Sequence, residues 1–332
     1  METVTVSQLK EGMTFQGDLL VRSVDRRTGK TGREYLDMTL CDRTGEINAK
    51  VWNLEGLPGI PVASGVVEVD ASIELFNGRI QMRINRLRPA VNPDLRQLIP
   101  SSPVPPAEMM EEIQRIIDTF PTEDLRRIVR EMIAMVKDKL MYYPAAQRMH
   151  HAEHGGLLHH TTSMLHTAEA LCDCYPFLNR ELLLAGVIIH DLSKTHEMLS
   201  DKMGNVSDYS PDGILLGHLV RGVVEVEKAA ERAGVSGELV LLLQHMVISH
   251  HGEAQYGSPR LPMFPEAEAL HWIDILDARM NEMQTIQDRT PAGAFSERIA
   301  YLDDRRMYHP AFVSAEAEEP AQRGEPETLL PS

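Results

Sequence analysis

Residues 182–194 read Leu-Leu-Leu-Ala-Gly-Val-Ile-Ile-His-Asp-Leu-Ser-Lys, an apolar run that delivers His190 and Asp191 side by side. Upstream stands G-G-L-L-H-H-T at 155–161. Downstream come His218, the pair His250-His251, and W-I-D-I-L-D at 272–277. Imidazole and carboxylate together suit first-row divalent metals, and a carboxylate can bridge two ions where an imidazole nitrogen cannot. Six or seven such groups dispersed along a helical pattern read as a dinuclear centre. Lys194 lies one helical turn beyond His190, where an ammonium can meet a phosphate.

Outward from this stretch the apolar spacing is helical. Met109, Ile113, Ile116 and Ile117 make one stripe, and Leu125, Ile128, Val129, Met132, Ile133 and Val136 another. Further helices are predicted over 157–171, 182–189, 215–233, 238–249 and 266–287, the last with Pro265 at its start. Residues 107–312 therefore read as an all-α domain. Residues 313–332, rich in Glu, Ala and Pro, read as a disordered acidic tail.

The first 90 residues have a different period. Tyr35 to Leu40 and Glu46 to Trp52 alternate polar with apolar, and Val67, Val69, Ala71, Ile73 and Leu75 share one parity. Asn77-Gly78 is a hairpin signal, with Arg79 to Ile84 as the returning strand. With Phe15 to Val24 these make five antiparallel strands, which predicts a five-stranded barrel of the OB type over 1–90. Residues 91–106, holding Pro93, Pro100, Pro103, Pro105 and Pro106, read as a linker. Tyr35, Trp52 and Phe76 fall on the polar parity of their strands, among Lys50, Arg79 and Arg83. Outward aromatics among cations can stack the bases of a single strand; capping the barrel is the alternative use for them.

Composition narrows the setting. A length of 332 residues suggests about two domains. No apolar run approaches the roughly 20 residues of a membrane span. The N-terminus lacks a basic stretch followed by an apolar one. Cys41, Cys172 and Cys174 form no disulfide framework, so a reducing cytoplasm is expected. The net charge of −16 argues against gripping nucleic acid by bulk electrostatics. That charge is uneven, however: residues 1–90 hold twelve basic and twelve acidic side chains, so the acid excess lies beyond the barrel.

The pattern H…HD…H…HH…D, filled by His160, His190, Asp191, His218, His250, His251 and Asp274, resembles the HD-domain superfamily of metal-dependent phosphohydrolases. Three segments narrow the resemblance to YhaM-type 3′→5′ exoribonucleases. They are R-M-H-H-A-E-H-G-G-L-L-H-H-T at 148–161, L-L-G-H-L-V-R-G at 215–222 and H-M-V-I-S-H-H-G-E-A-Q-Y-G-S-P at 245–259. The barrel-plus-helices order is similar too. The resemblance implies metal roles for His160, His190, Asp191 and Asp274, with Asp191 bridging to a second ion held by His218 and one or both of His250 and His251. His159 stands where relatives often carry an acid, so the choice between His159 and His160 rests on the motif alone. Asp277 competes with Asp274, which is preferred. Substrate contact is implied for Arg148, His150 and His151, while His154, His166 and His245 are expected to pack.

The implied activity is a metal-dependent 3′→5′ exonuclease acting on single-stranded RNA, with single-stranded DNA as a second substrate. His190, Asp191 and Lys194 would form its catalytic core. No G-x-x-x-x-G-K loop and no Ser-His-Asp arrangement is evident, so metal-activated water is the expected nucleophile. Mixed His and Asp ligands accept Mn, Fe, Co, Ni or Zn, and manganese is the choice the family suggests. A homo-oligomer is allowed. Two alternatives stand: a nucleotide or cyclic-dinucleotide phosphohydrolase, or a non-catalytic single-strand-binding module with a structural metal site.

Overall fold

A computed structural model describes residues 4–29, 32–55, 57–147, 151–302 and 304–312. The chain forms two compact units, Met1–Asp277 and Ala278–Ser332. In the first unit, strands β1 (Thr14–Thr28), β2 (Glu34–Asp42), β3 (Gly45–Val51), β4 (Val66–Phe76) and β5 (Arg79–Pro89) close into a barrel in the order β1-β2-β3-β5-β4. Alternation fills it from one parity. Leu36, Met38 and Leu40, Ile47, Ala49 and Val51, and Val67, Val69, Ala71 and Ile73 all point inward and are buried. Asn77 and Gly78 both take positive φ, 52° and 76°, as the tight β4–β5 hairpin requires.

The strands are not all antiparallel, as the sequence suggested. β3 and β5 run parallel, Asn48–Lys50 pairing with Gln81–Arg83. The reason is one of parity. A ring with an odd number of strands cannot alternate direction at every step, so one neighbouring pair has to run the same way.

Residues 91–105 do not hang free. After a single 3-10 turn at Leu95–Gln97, Leu98 and Ile99 bury against Leu20 and Cys41 of the barrel. The helical part follows with α1 (Pro106–Asp118), α2 (Glu123–Leu140), α3 (Gly156–Cys174), α4 (Arg180–Ile189) and the short α5 (Lys194–Glu197). A small hairpin of β6 (Met198–Ser200) and β7 (Val206–Tyr209) interrupts the helices. Then come α6 (Pro211–Leu215), α7 (Gly217–Ala233), α8 (Glu238–Ser249) and α9 (Pro265–Arg289). The single helix expected over 215–233 breaks at Leu216-Gly217, where Gly217 adopts φ 69°. The second unit carries the paired strands β8 (Phe295–Ile299) and β9 (Arg305–Tyr308). The expected disordered tail, 313–332, lies outside the described residues.

Helix α4 explains the apolar run that opened the reading. Every residue from Leu182 to Ile189 is buried, because α2, α3 and α8 pack around it. A helix that is apolar on all sides belongs in an interior. Its cap is the Asn179 side chain, which accepts from the Leu182 N–H at 3.1 Å. Its far end then deposits His190 and Asp191 in the middle of the helices rather than on their surface.

Phe120, between α1 and α2, is fully buried in the same core. Truncation to Ala should cost about 3–5 kcal/mol of stability. Urea unfolding followed by far-UV circular dichroism reads this directly, and an unchanged midpoint would contradict the packing described.

Candidate metal centre

Five helical segments converge on Asp191. α3 supplies His160, the end of α4 supplies His190 and Asp191, and the first turn of α7 supplies His218. The end of α8 supplies His250 and His251, and α9 supplies Asp274. The rings form a row, with centroids 5.4 Å apart for His160–His190, 4.9 Å for His190–His250 and 5.7 Å for His218–His250. His251 stands 5.0 Å from His218. Asp191, only 2% exposed, lies among them. Its Oδ2 is 3.3 Å from His190 Nε2 and 3.8 Å from His160 Nε2, while its Oδ1 is 3.5 Å from His218 Nε2 and 3.6 Å from His250 Nε2. The two oxygens thus face two separate sets of donors.

The imidazoles are held in one orientation by their outer nitrogens. His190 Nδ1–H donates to the Val187 carbonyl and His250 Nδ1–H to that of Val247, each at 2.8 Å. His251 Nδ1–H donates to the Tyr256 carbonyl at 2.7 Å. His218 Nδ1–H donates to Glu197 Oε2 at 2.6 Å and His160 Nδ1–H to Asp277 Oδ2 at 2.7 Å. A proton fixed on Nδ1 leaves the Nε2 lone pair aimed inward. The inner atoms have little to bond. His190 Nε2, His218 Nε2, His250 Nε2 and Asp191 Oδ1 are buried and find no hydrogen-bond partner among the described residues. Such orphaned atoms are costly in an interior, and a divalent cation satisfies all of them at once. The residues fit the group.

Electrostatics agree. Burial would raise the Asp191 carboxyl, but Lys194 and His190 outweigh it and hold it well below the usual carboxylate range. Lys194 Nζ sits 2.6 Å from Asp191 Oδ2; burial works against its charge, yet Asp191 and Asp274 keep its pKa raised. Burial pushes His250 down to about 3, so it stays neutral and able to ligate. His160 differs. Burial opposes its charge, but hydrogen bonds to Asp274 and Asp277 push it up to about 9. Without a cation it bridges the two aspartates as an imidazolium, Asp274 Oδ1 lying 3.2 Å from its Nε2.

The two members of each pair left open by the sequence occupy different positions. His160 is wholly buried in the centre, while neighbouring His159 turns toward Glu153 Oε1 at 2.7 Å. Asp274 faces the centre, and Asp277 stands behind it, accepting from His160 and, at 2.9 Å, from His151 Nε2–H. His151, expected at the substrate, is buried, with both ring nitrogens against protein groups. Arg148 and His150 lie outside the described residues. His166 pairs with Glu112 at 2.6 Å on the surface, and His245 Nε2 accepts from the Met263 N–H at 3.0 Å. Glu197, Glu153 and Glu225 were not singled out from the sequence. Glu225 accepts from Ser193, Arg221 and His196, and so braces the turn that carries Lys194.

On the barrel, Tyr35 and Trp52 stack with ring centroids 4.6 Å apart, and Trp52 is 50% exposed. Lys50 Nζ lies 5.4 Å from the Tyr35 ring centre and 2.5 Å from Asp37 Oδ1. Lys50 pairs in register with Arg83. Phe76, 61% exposed, sits at the hairpin end opposite Arg79. From Arg79 to Arg83 and on to the level of Trp52 is about six residues of strand, roughly 20 Å.

A family model described as the HD domain matches residues 157–279. The chain is 40% identical over 301 residues to the 3′-5′ exoribonuclease YhaM of Geobacillus sp. (strain WCH70), covering 89% of this chain and 92% of that protein. It is 38% identical over 299 residues to the protein of the same name from Bacillus subtilis (strain 168), covering 89% and 94%. Among solved structures, the second OB-fold domain of replication protein A from Methanococcus maripaludis is similar at 15% identity with a TM-score of 0.22. That match covers 26% of this chain and 93% of that one, too slight a likeness to add to the barrel topology.

The raised pKa of His160 has a measurable consequence. Cation binding at Nε2 must displace a proton wherever His160 is charged, that is, below about pH 9. Affinity for Mn²⁺ should therefore rise about tenfold per pH unit between pH 6 and 8 and level off above 9. Titration calorimetry in buffers of different ionisation enthalpy should find about one proton released at pH 7.5 for the cation that His160 binds. A pH-independent affinity over that range would contradict the arrangement.

Proposed function

The chain belongs to the YhaM family of 3′→5′ exoribonucleases, metal-dependent nucleases with an HD domain, and from that premise we propose how its residues divide the work. The observation that carries the reading is the split of Asp191, whose Oδ2 faces His190 Nε2 and whose Oδ1 faces His218 Nε2 and His250 Nε2, three buried nitrogens without a hydrogen-bond partner among the described residues. One cation would be held by His160, His190, Asp191 and Asp274, and the second by Asp191, His218, His250 and His251. Manganese is the preferred ion, with Fe, Co, Ni or Zn also compatible with this donor set. When bound, such a pair supplies positive charge to the non-bridging phosphate oxygens and lowers the pKa of water.

The chain's own groups do the rest. Asp191 and Asp274, held ionised, keep the centre anionic enough to retain two dications. Lys194, kept protonated at the edge of the centre, donates to the scissile phosphate and steadies the charge that grows on it. The α4 core behind His190 excludes water from the far side. His151, whose nitrogens serve Asp277 and His159, braces the centre and does not touch the substrate.

Residues 1–90 act as the strand-holding domain and 107–312 as the hydrolytic one, working in the cytoplasm on single-stranded RNA and secondarily on single-stranded DNA. The exposed Trp52 over Tyr35, the cations Lys50 and Arg83, and Phe76 beside Arg79 offer stacking surfaces and phosphate partners along one side of the barrel. A small cyclic or mononucleotide substrate needs no such track, so hydrolysis of cyclic dinucleotides faster than single-stranded RNA would overturn this reading.

Metal-stripped protein given Mn²⁺ should shorten a 5′-labelled oligoribonucleotide as a ladder and leave a duplex largely intact. Asp191→Ala, which removes a ligand from both proposed ions, should bring turnover to background even in excess Mn²⁺. Trp52→Ala with Phe76→Ala should raise KM on long strands while sparing kcat on a trinucleotide. At about 1–3 kcal/mol per stacked base the KM effect is roughly five- to 150-fold per residue. Unchanged KM on long strands would mean the aromatics are not the track.

A further inference from the structure

The row of imidazoles does not stop at the catalytic centre. Behind it, His151 Nδ1, His159 Nδ1 and Glu153 Oε1 converge: 3.1 Å between the two nitrogens, 2.7 Å from His159 to Glu153 and 3.8 Å from His151 to Glu153. We propose that these three atoms form a third divalent-cation site, distinct from the dinuclear pair and selective for a zinc-like ion. The donor geometry points this way. A tetrahedral cation with N and O ligands at about 2.0–2.2 Å places ligand atoms about 3.3–3.6 Å apart, and the observed separations bracket that spacing.

His151 Nε2 lies 2.9 Å from Asp277 Oδ2, which turns its Nδ1 toward His159 and Glu153. His159 Nδ1 lies within hydrogen-bond distance of both His151 Nδ1 and Glu153 Oε1, so the three atoms face one point. A cation at that point would draw on all three atoms. Two imidazoles and one carboxylate would leave a fourth position open to water, and His159 and Glu153 are themselves partly exposed.

The backbone is shaped to bring them together. His151 sits at φ 48°, a left-handed conformation costly for a residue with a β-carbon. It turns the chain back so that His151 and Glu153 meet the first turn of α3, which carries His159. Gly156 makes the approach feasible, since a β-carbon there would come within 2.0 Å of the His151 carbonyl oxygen. The site also reaches the catalytic centre. Asp277 Oδ2 accepts from both His151 Nε2 and His160 Nδ1, so a cation on the far side of His151 draws that carboxylate's charge away from His160.

The test counts zinc by equilibrium dialysis of the full chain followed by elemental analysis, using zinc alone as the probe. Glu153→Gln, nearly isosteric, should bind one equivalent fewer than the parent, and His159→Asn should match it. Asp191→Ala should keep the equivalent that Glu153→Gln loses. Thermal melts in EDTA establish that each variant folds. The proposal fails if Glu153→Gln and the parent hold the same number of ions, or if the extra equivalent disappears with Asp191→Ala instead. A zinc anomalous peak among His151, His159 and Glu153 in a crystal would place the ion. These readouts involve no RNA, so they stand or fall independently of the nuclease reading.

Discussion

A carboxylate buried among imidazoles at the end of an apolar helix is the constraint to which the rest of the helical region answers. Asp191 is far too enclosed to keep its charge unaided, since moving an ion out of water costs several kcal/mol or more. Lys194 lies against one oxygen, and His190 and His250, anchored through Nδ1, turn Nε2 toward the space around both. That leaves a cavity of negative potential, satisfied by positive charge from outside the chain. The outer shell follows from the same demand. Glu225 gathers Ser193, Arg221 and His196, and Lys139 donates to the Thr195 carbonyl at 2.6 Å, so the turn presenting Asp191 and Lys194 is braced from behind.

Much of this was legible from residue types and spacing, and the exceptions have physical reasons. The period-two strands, the Asn77-Gly78 hairpin and the buried α4 could be read because local geometry dictates their pattern. The parallel pair escaped a strand-by-strand reading, although counting an odd number of strands in a closed ring would have exposed it. Adjacent residues on a helix point about 100° apart, so only one of His159 and His160 could face the centre. Which one depended on packing, not on the motif. Glu153, Glu197 and Glu225 act across loops whose lengths carry no periodic signal, which is why nothing marked them. One local signal was present and unused. V-I-I-H at 187–190 and V-I-S-H at 247–250 each end a helix with a histidine that donates back to the valine three residues earlier.

The charge balance also resolves at the level of parts. A net charge of −16 opposes contact with an RNA backbone, yet the barrel's own acids and bases are equal in number. Much of the barrel's basic charge is engaged locally, as in Lys50 with Asp37 and Arg88 with Glu68. The proposed aromatic stacking would be less sensitive to salt than ion pairing.

The way the rings are anchored makes some ligands more alterable than others. His190 and His250 lean on main-chain carbonyls, which no substitution can remove. His160 and His218 lean on the side chains of Asp277 and Glu197, and a carboxylate partner makes an imidazole a stronger donor than a carbonyl does. One proposed half therefore sets carbonyl-anchored His190 beside carboxylate-anchored His160, and the other sets carbonyl-anchored His250 and His251 beside carboxylate-anchored His218, whose basicity a single mutation can retune. Descendants of this chain have a route to a different metal preference that leaves every ligand in place.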